Sequence, residues 1–155
     1  EILSWPNRMN RVVPVAVEAM SFETHRGHLR IRHGDPSGIL SPIDFGPDVL
    51  VTQHGCDAHF LDPLSDLMVS IDAMRSAYQQ LHALAHSAAA GRWLVTGGGG
   101  YDIVDVVPRA WTALIAEVAG HPIDPETPLP QGWLDYVEKT YGRVPPARMT
   151  DLPSR

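Results

Sequence analysis

Two short apolar runs enclose a long amphipathic segment in the middle of the chain. Residues 49–52 and 93–96 are rich in Val, Leu and other residues that favour strands. Such runs are typical of strands buried on both faces of a sheet. Because the segment between them has apolar residues at helical spacing, the pattern predicts a β-α-β unit with two parallel strands.

The helix of this unit is predicted over residues 70–90. Ser70 is a suitable N-cap residue, because its hydroxyl can accept a backbone N–H bond, and Gly91 would end the helix. Its apolar stripe, spaced by three and four residues, consists of Ile71, Met74, Tyr78, Leu81, Ala85 and Ala88.

A second helix is predicted to follow the second strand. Asp105 could cap it, Pro108 would lie in its first turn, and Gly120 would stop it. The predicted buried face consists of Val107, Trp111, Leu114, Ile115 and Val118.

These elements predict an α/β fold, with a parallel sheet flanked by helices. The organisation we expect is an unassigned N-terminal segment (residues 1–46), an α/β core (47–120) and a proline-rich tail (121–155) that wraps the surface and contains one short helix. His25, His28 and His33 in the first segment alternate with arginines, which favours a solvated loop over a metal site.

Length and composition narrow the class of protein. The chain has 155 residues, a net charge of −6 and one cysteine, Cys56. This predicts one domain with no disulfide, no membrane span, no direct binding to nucleic acid and a cytoplasmic setting. The first residues lack an initiator Met and a signal peptide, so we expect a piece of a longer protein.

Candidate metal ligands follow the first predicted strand. Asp57 lies beside Cys56 and between His54 and His59, a set that suits a cation such as zinc. The alternative is that Asp57, or Asp62 before Pro63, caps a turn by accepting backbone N–H bonds. Cys56 itself is more typical of a buried structural thiol than of a nucleophile.

Two histidines on the predicted helix form a second candidate pair. His82 and His86 are four residues apart, so they share one helix face. The glutamate that accompanies such a pair in zinc peptidases is absent, which favours an ordinary solvated helix face.

A run of four glycines follows the second predicted strand and leads into Tyr101. The run, residues 97–100, could cradle a phosphate, line a narrow substrate channel that presents Tyr101, or form a tight turn. It does not fit the spacing of a dinucleotide-binding motif. Because the carboxyl ends of parallel strands meet at one sheet edge, we expect Asp57 and Tyr101 to face one crevice.

The segments around Asp57, Asp62 and Tyr101 together resemble zinc-dependent enzymes of the histone-deacetylase type. The shared features are the strand ending in Gly-Cys-Asp, the following Asp-Pro and the GGGGY sequence after the next strand. The resemblance is strongest to the bacterial acetoin-utilisation deacetylases and covers roughly residues 45–120. It implies part of an arginase/deacetylase-like fold.

The resemblance also implies roles for individual residues. Asp57 corresponds to a zinc ligand, and Tyr101 to the tyrosine that hydrogen-bonds the acetyl carbonyl oxygen. Gly99, Gly100 and Leu64 correspond to the wall of an acyl-lysine tunnel. The implied substrate is an acetylated lysine of a protein or a small acetylated amine.

The other two zinc ligands of the family and its general base are not found in this sequence. In the family, two further zinc ligands come from an Asp-x-His segment after an earlier strand and the general base from a His-His pair further upstream, and neither motif is evident ahead of Asp57 in this sequence. A catalytic zinc takes three protein ligands, so we expect weak zinc binding and low activity of the isolated chain. The alternative function is a catalytically inactive deacetylase-fold remnant that acts as a binding or regulatory module.

Overall fold

The computed structural model describes residues 20–23, 28–31 and 47–152, the first two ranges as strand backbone only. The elements in chain order are β1 (Met20–Glu23), β2 (His28–Ile31), β3 (Leu50–His54), α1 (Ile71–Ala89), β4 (Trp93–Gly97), α2 (Val107–Val118) and α3 (Gln131–Tyr141). Strands β1 and β2 form an antiparallel pair. The prediction for the side chains of His25, His28 and His33 lies outside what the structure describes.

Strands β3 and β4 are parallel neighbours joined through α1. Their register runs from Leu50 opposite Trp93 to His54 opposite Gly97. The two segments that follow these strands therefore start at the same sheet edge. The predicted α/β fold, with a parallel sheet and flanking helices, is confirmed.

One face of this sheet is more exposed than the sequence predicts. Trp93 and Val95 pack against the core, whereas Val51 is 60% exposed and Leu94 is 55% exposed on the opposite face. The expectation that both strands are buried on both faces is wrong, because successive side chains alternate and the described helices cover only one face of this pair.

Helix α1 begins and ends nearly where its capping residues predict. The Ser70 hydroxyl accepts a hydrogen bond from the Ala73 N–H at 3.2 Å, which confirms the N-cap. The helix closes at Ala90, which has a left-handed conformation, one residue before the predicted Gly91. Of the predicted stripe, Ile71, Met74, Tyr78 and Ala85 are buried, whereas Leu81 and Ala88 are half-buried.

Helix α2 differs from its prediction at its start and on one face. Asp105 does not cap it; instead the Asp102 carboxylate accepts the N–H of Asp105 at 2.8 Å, in the preceding turn, while Pro108 does lie in the first turn. Ile115 was predicted to be buried but is 65% exposed. The small residues Ala110 and Ala113 occupy the buried face, which turns Ile115 outwards.

The tail after α2 is packed against the core as well as lying over the surface. Val137 of α3 is fully buried, and Met149 is almost fully buried. The segments before and after α3 are hydrogen-bonded to each other, because the Leu129 N–H donates to the Ala147 carbonyl at 2.8 Å. None of the helices in the described part of the chain is both long and apolar enough to cross a bilayer.

The carboxylate of Asp151 anchors the end of this tail. It accepts hydrogen bonds from the Ile71 N–H at 2.6 Å and from the His59 ring at 2.8 Å. It also forms an ion pair with the buried Arg109 at 2.8 Å. Burial alone would raise the pKa of Asp151, but the bonds from His59 and Ile71 and the Arg109 charge together lower it. The tail is therefore tied to α1, to α2 and to the segment after β3.

We expect Asp151→Asn to destabilise the fold by about 3 kcal/mol or more at pH 7, because it leaves a buried guanidinium unpaired. The lowered pKa means that the ionised Asp151 stabilises the fold above its unfolded pKa of about 3.9 and loses this contribution as the pH falls through the folded pKa. Urea unfolding should therefore show a smaller difference between Asp151→Asn and the parent at about pH 3 than at pH 7.

The exposed acid Glu138 on α3 supplies the control for this experiment. Glu138→Gln should change the free energy of unfolding by only a few tenths of a kcal/mol at either pH. A stability difference for Asp151→Asn that stays constant with pH would contradict the role assigned to the carboxylate.

Candidate functional site

The segment after β3 and the segment after β4 are joined at the sheet edge. We call residues 55–69 the first loop and residues 98–106 the second loop. The Cys56 N–H donates to the Gly99 carbonyl at 2.7 Å, which continues the strand pairing into both loops. This bond brings the neighbourhood of Asp57 against the glycine run.

The glycines of the second loop allow side chains of the first loop to lie against its backbone. A Cβ atom at Gly99 would overlap the Asp57 carboxylate, and one at Gly100 would lie 2.5 Å from the Cys56 sulfur. No residue other than glycine fits either position without displacing the first loop. The run is therefore more than a tight turn, and a carboxylate beside it disfavours the phosphate-binding interpretation.

Asp62 connects the two loops through its side chain. One carboxylate oxygen accepts the Leu64 N–H at 2.9 Å, and the other accepts the Tyr101 N–H at 2.9 Å. Asp62 is only 6% exposed, whereas Tyr101 is 51% exposed and Leu64 is 71% exposed. One buried carboxylate thus fixes the backbone of two predicted site residues while their side chains remain at the surface.

His54 is buried in the core and does not accompany Asp57 as a ligand. Its Nε2 is hydrogen-bonded to the Thr52 hydroxyl at 2.5 Å, and its ring packs edge-on against Tyr78 and Trp93. Burial lowers the pKa of His54, so the neutral ring is favoured.

His59 is fully buried, and both of its ring nitrogens are hydrogen-bonded. Nδ1 accepts the Leu61 N–H at 3.1 Å, so this nitrogen carries no proton. Nε2 then carries the proton and donates it to Asp151 at 2.8 Å. The ring links the first loop to Asp151 and has no free lone pair for a metal.

Cys56 matches the description of a structural thiol. Its side chain is fully buried, and burial, with the nearby Asp57 and Asp62 charges, raises its pKa to about 11. At neutral pH the nucleophilic thiolate is therefore rare.

The described residues do not form a complete zinc site. No group of three or more His, Cys, Asp or Glu side chains in the described part of the chain is arranged to hold a metal ion. His54, His59 and Cys56 have the partners given above, which leaves Asp57 as the carboxylate available at the loop junction. The predicted set of Asp57 with its flanking histidines is therefore not supported by the geometry.

Two residues that organise the site had weak or no signals in the sequence. Asp62 precedes Pro63, which suggests a capped turn, and the structure confirms that Asp62 accepts backbone N–H bonds. Its hydrogen bond with the Tyr101 N–H joins residues that are far apart in the sequence, and no local sequence pattern predicts this bond. Asp151 lies in an irregular segment, where no motif or periodicity marks a buried carboxylate.

Comparison with known proteins gives the family. The model of the histone deacetylase domain matches residues 37–118, which is more than half of the chain. The matched range includes β3, α1, β4, α2 and both loops. The chain belongs to the histone deacetylase family, as its resemblance predicted.

Several curated relatives share one name. The acetoin utilization protein AcuC of Bacillus subtilis (strain 168) is 44% identical over 90 residues, which is 58% of this chain and 23% of the relative. The AcuC protein of Staphylococcus xylosus is 37% identical over 97 residues, covering 61% of this chain and 25% of the relative. That of Staphylococcus aureus (strain N315) is 32% identical over 107 residues, covering 69% and 27%. The chain thus matches about a quarter of the length of these relatives.

We expect Gly99→Ala to displace the Asp57 carboxylate and to lower the free energy of unfolding by about 1–3 kcal/mol, as other overpacking substitutions do. Gly132→Ala on α3 is the matched control, because a Cβ there meets no atom within 4 Å. It should stabilise the helix by less than about 1 kcal/mol, because Gly132 lies in the first turn of α3. Urea unfolding measures both, and equal effects of the two substitutions would show that Gly99 has no special contact.

We expect Asp62→Asn to release the backbone of Tyr101, because a side-chain amide offers one acceptor oxygen where the carboxylate offers two. Amide hydrogen exchange at Leu64, at Tyr101 or at both should accelerate by about ten-fold or more, which corresponds to the loss of one charged hydrogen bond. Amides of α3 serve as the internal reference. Unchanged exchange at both positions would contradict the role of Asp62.

Proposed function

We propose that this chain supplies catalytic and substrate-binding loops of a zinc-dependent deacetylase that hydrolyses the acetyl amide of a protein lysine or of a small acetylated amine. The observation that carries the proposal is the junction of the two loops, where the Asp57 carboxylate lies against Gly99 and Asp62 holds the Tyr101 backbone. Family membership supports the same chemistry. The single buried cysteine supports a cytoplasmic setting.

Tyr101 is proposed as the residue that stabilises the reacting carbonyl group. Its phenol can donate a hydrogen bond to the acetyl oxygen, and this bond strengthens as negative charge develops on that oxygen. The bond from its backbone N–H to Asp62 limits the movement of the residue. Half of its surface is exposed, so a substrate can approach the side chain.

Asp57 is proposed as one of the zinc ligands. A bound zinc would polarise the carbonyl group and acidify a water molecule. The described residues provide this one carboxylate, so the other ligands must come from outside the described residues. The contact with Gly99 keeps the carboxylate beside the loop that carries Tyr101.

Gly99, Gly100 and Leu64 are proposed as the wall that contacts the acyl-lysine chain. Glycines present backbone without side chains, which suits a passage narrow enough for a methylene chain. Leu64 offers an apolar side chain that is 71% exposed and is held by the same Asp62 carboxylate as Tyr101. The apolar methylenes of a lysine would be desolvated against this side chain.

The test uses the 155-residue chain with an acetyl-lysine peptide and zinc. We expect zinc affinity weaker than micromolar and low turnover, because one carboxylate does not hold a catalytic zinc. Tyr101→Phe should lower the remaining kcat by about 10²–10³, the range found when an oxyanion donor is removed. Tyr141→Phe is the matched control, since this α3 tyrosine is also about half exposed.

Binding of a short acyl hydroxamate in the presence of zinc provides a second readout that does not need turnover. Amide resonances near Asp57 and Tyr101 should shift on binding, and Asp57→Asn should abolish the zinc-dependent part. Hydrolysis with the same kcat in Tyr101→Phe would overturn the catalytic assignment. Binding elsewhere on the chain, with no hydrolysis, would favour the inactive binding module.

A further inference from the structure

The geometry points to a second metal site on this chain, formed by His82 and His86 of α1 with Glu117 of α2 behind His82, which takes a divalent transition metal such as Cu²⁺ or Ni²⁺. His82 packs against Trp93, where β4 begins, whereas the proposed catalytic loops follow the opposite ends of the strands. The site is therefore separate from Asp57 and does not depend on the proposed deacetylase activity.

The two imidazoles are already spaced as ligands of one ion. Their Nε2 atoms lie 3.2 Å apart, and their ring centres are 5.0 Å apart. Two nitrogen ligands at about 2.0–2.1 Å from one metal lie about 2.9 Å apart at a right angle and about 3.4 Å apart at a tetrahedral angle. The observed separation falls between these values, so both Nε2 atoms can bind one ion once the rings rotate to direct their lone pairs at it.

Glu117 determines which nitrogen of His82 carries a proton. Its carboxylate lies 3.0 Å from Nδ1 of His82 and is an acceptor, so Nδ1 carries the proton and Nε2 has a free lone pair. This lone pair faces Nε2 of His86, which therefore donates the proton between the two rings. A metal that displaces this one proton gains two imidazole ligands, and a carboxylate behind a ligating histidine strengthens its binding.

Neighbouring residues restrict the His82 ring before any metal binds, and the exposed His86 ring lies against Gly91. The His82 ring is only 25% exposed and lies 5.7 Å from the Trp93 ring at an angle of 31°. The His86 ring packs over Gly91, where a Cβ would lie 3.1 Å from its Nδ1. Such preorganisation lowers the entropy cost of binding, which distinguishes this pair from two histidines on a free helix face.

The ligand set indicates the class of metal. In the described part of the chain there is no third His, Cys, Asp or Glu side chain placed to complete the coordination, so the two imidazoles are the ligands that the described residues supply. Imidazole nitrogens suit copper, nickel and zinc, and for one ligand set copper binds more tightly than nickel or zinc. We therefore expect affinity in the order Cu²⁺ above Ni²⁺ and Zn²⁺.

The test is a titration of the full, untagged 155-residue chain with Cu²⁺ and separately with Ni²⁺, followed by calorimetry and by tryptophan fluorescence. We expect one equivalent that quenches part of the fluorescence, since a bound copper ion would lie close to Trp93. Trp93→Phe should remove that part of the quenching while leaving the calorimetric binding in place.

Substitutions test which side chains bind this equivalent of metal. His86→Ala and His82→Ala should each weaken it by at least ten-fold, and Glu117→Gln should weaken it by about ten-fold or more, as other partners behind metal ligands do. His121→Ala removes an exposed histidine outside the site and is the matched control, and Asp57→Asn controls for the proposed catalytic site. Both should bind like the parent.

Three outcomes would overturn the proposal. The first is that the chain binds no equivalent of metal. The second is that His86→Ala binds the metal with full affinity. The third is that Asp57→Asn loses the bound metal while the histidine variants keep it. Because His86 is exposed, its substitution should leave the fold intact even if that of His82 does not. Full affinity in Glu117→Gln would overturn the role given to that residue.

Discussion

The carboxylate of Asp62 is shared between two loops that are far apart in the sequence. One oxygen accepts the Leu64 N–H and the other accepts the Tyr101 N–H, both at 2.9 Å, and the carboxylate itself is buried. A charged acceptor that is buried with two donors fixes backbone more firmly than neutral bonds at the surface. The close packing of Gly99 on Asp57 depends on the same junction, so the candidate site exists because these loops are tied together.

A second buried carboxylate holds the first loop from the other side. Asp151 binds the His59 ring, the first N–H of α1 at Ile71 and the guanidinium of Arg109. The loop that carries Asp57 is thereby supported by the end of the tail and by both core helices. The deacetylase family match ends at residue 118, so this support comes from beyond the matched range. Geometry at the candidate site thus depends on residues that take no part in the proposed chemistry.

The parts of the structure that follow from local pattern were predictable from the sequence. The strand pair, the cap of α1 at Ser70 and the meeting of the two loops all follow from periodicity and from the rule that parallel strands share one edge. Burial of Ile115 was predicted wrongly, because helical spacing does not show which of two adjacent apolar residues faces the core. The bonds of Asp62 and Asp151 are long-range, and no local signal specifies the partners of a buried charge.

The bond between Asp62 and Tyr101 can be observed directly by NMR. A long-range HNCO experiment detects scalar coupling across hydrogen bonds and should show a correlation from the Tyr101 amide to the side-chain carboxyl carbon of Asp62. The same spectrum should correlate the Cys56 amide with the Gly99 carbonyl carbon, whose bond is 2.7 Å long. Absence of both correlations, with a Tyr101 amide that exchanges as freely as in an unfolded chain, would contradict the account of a site built by the joining of two loops.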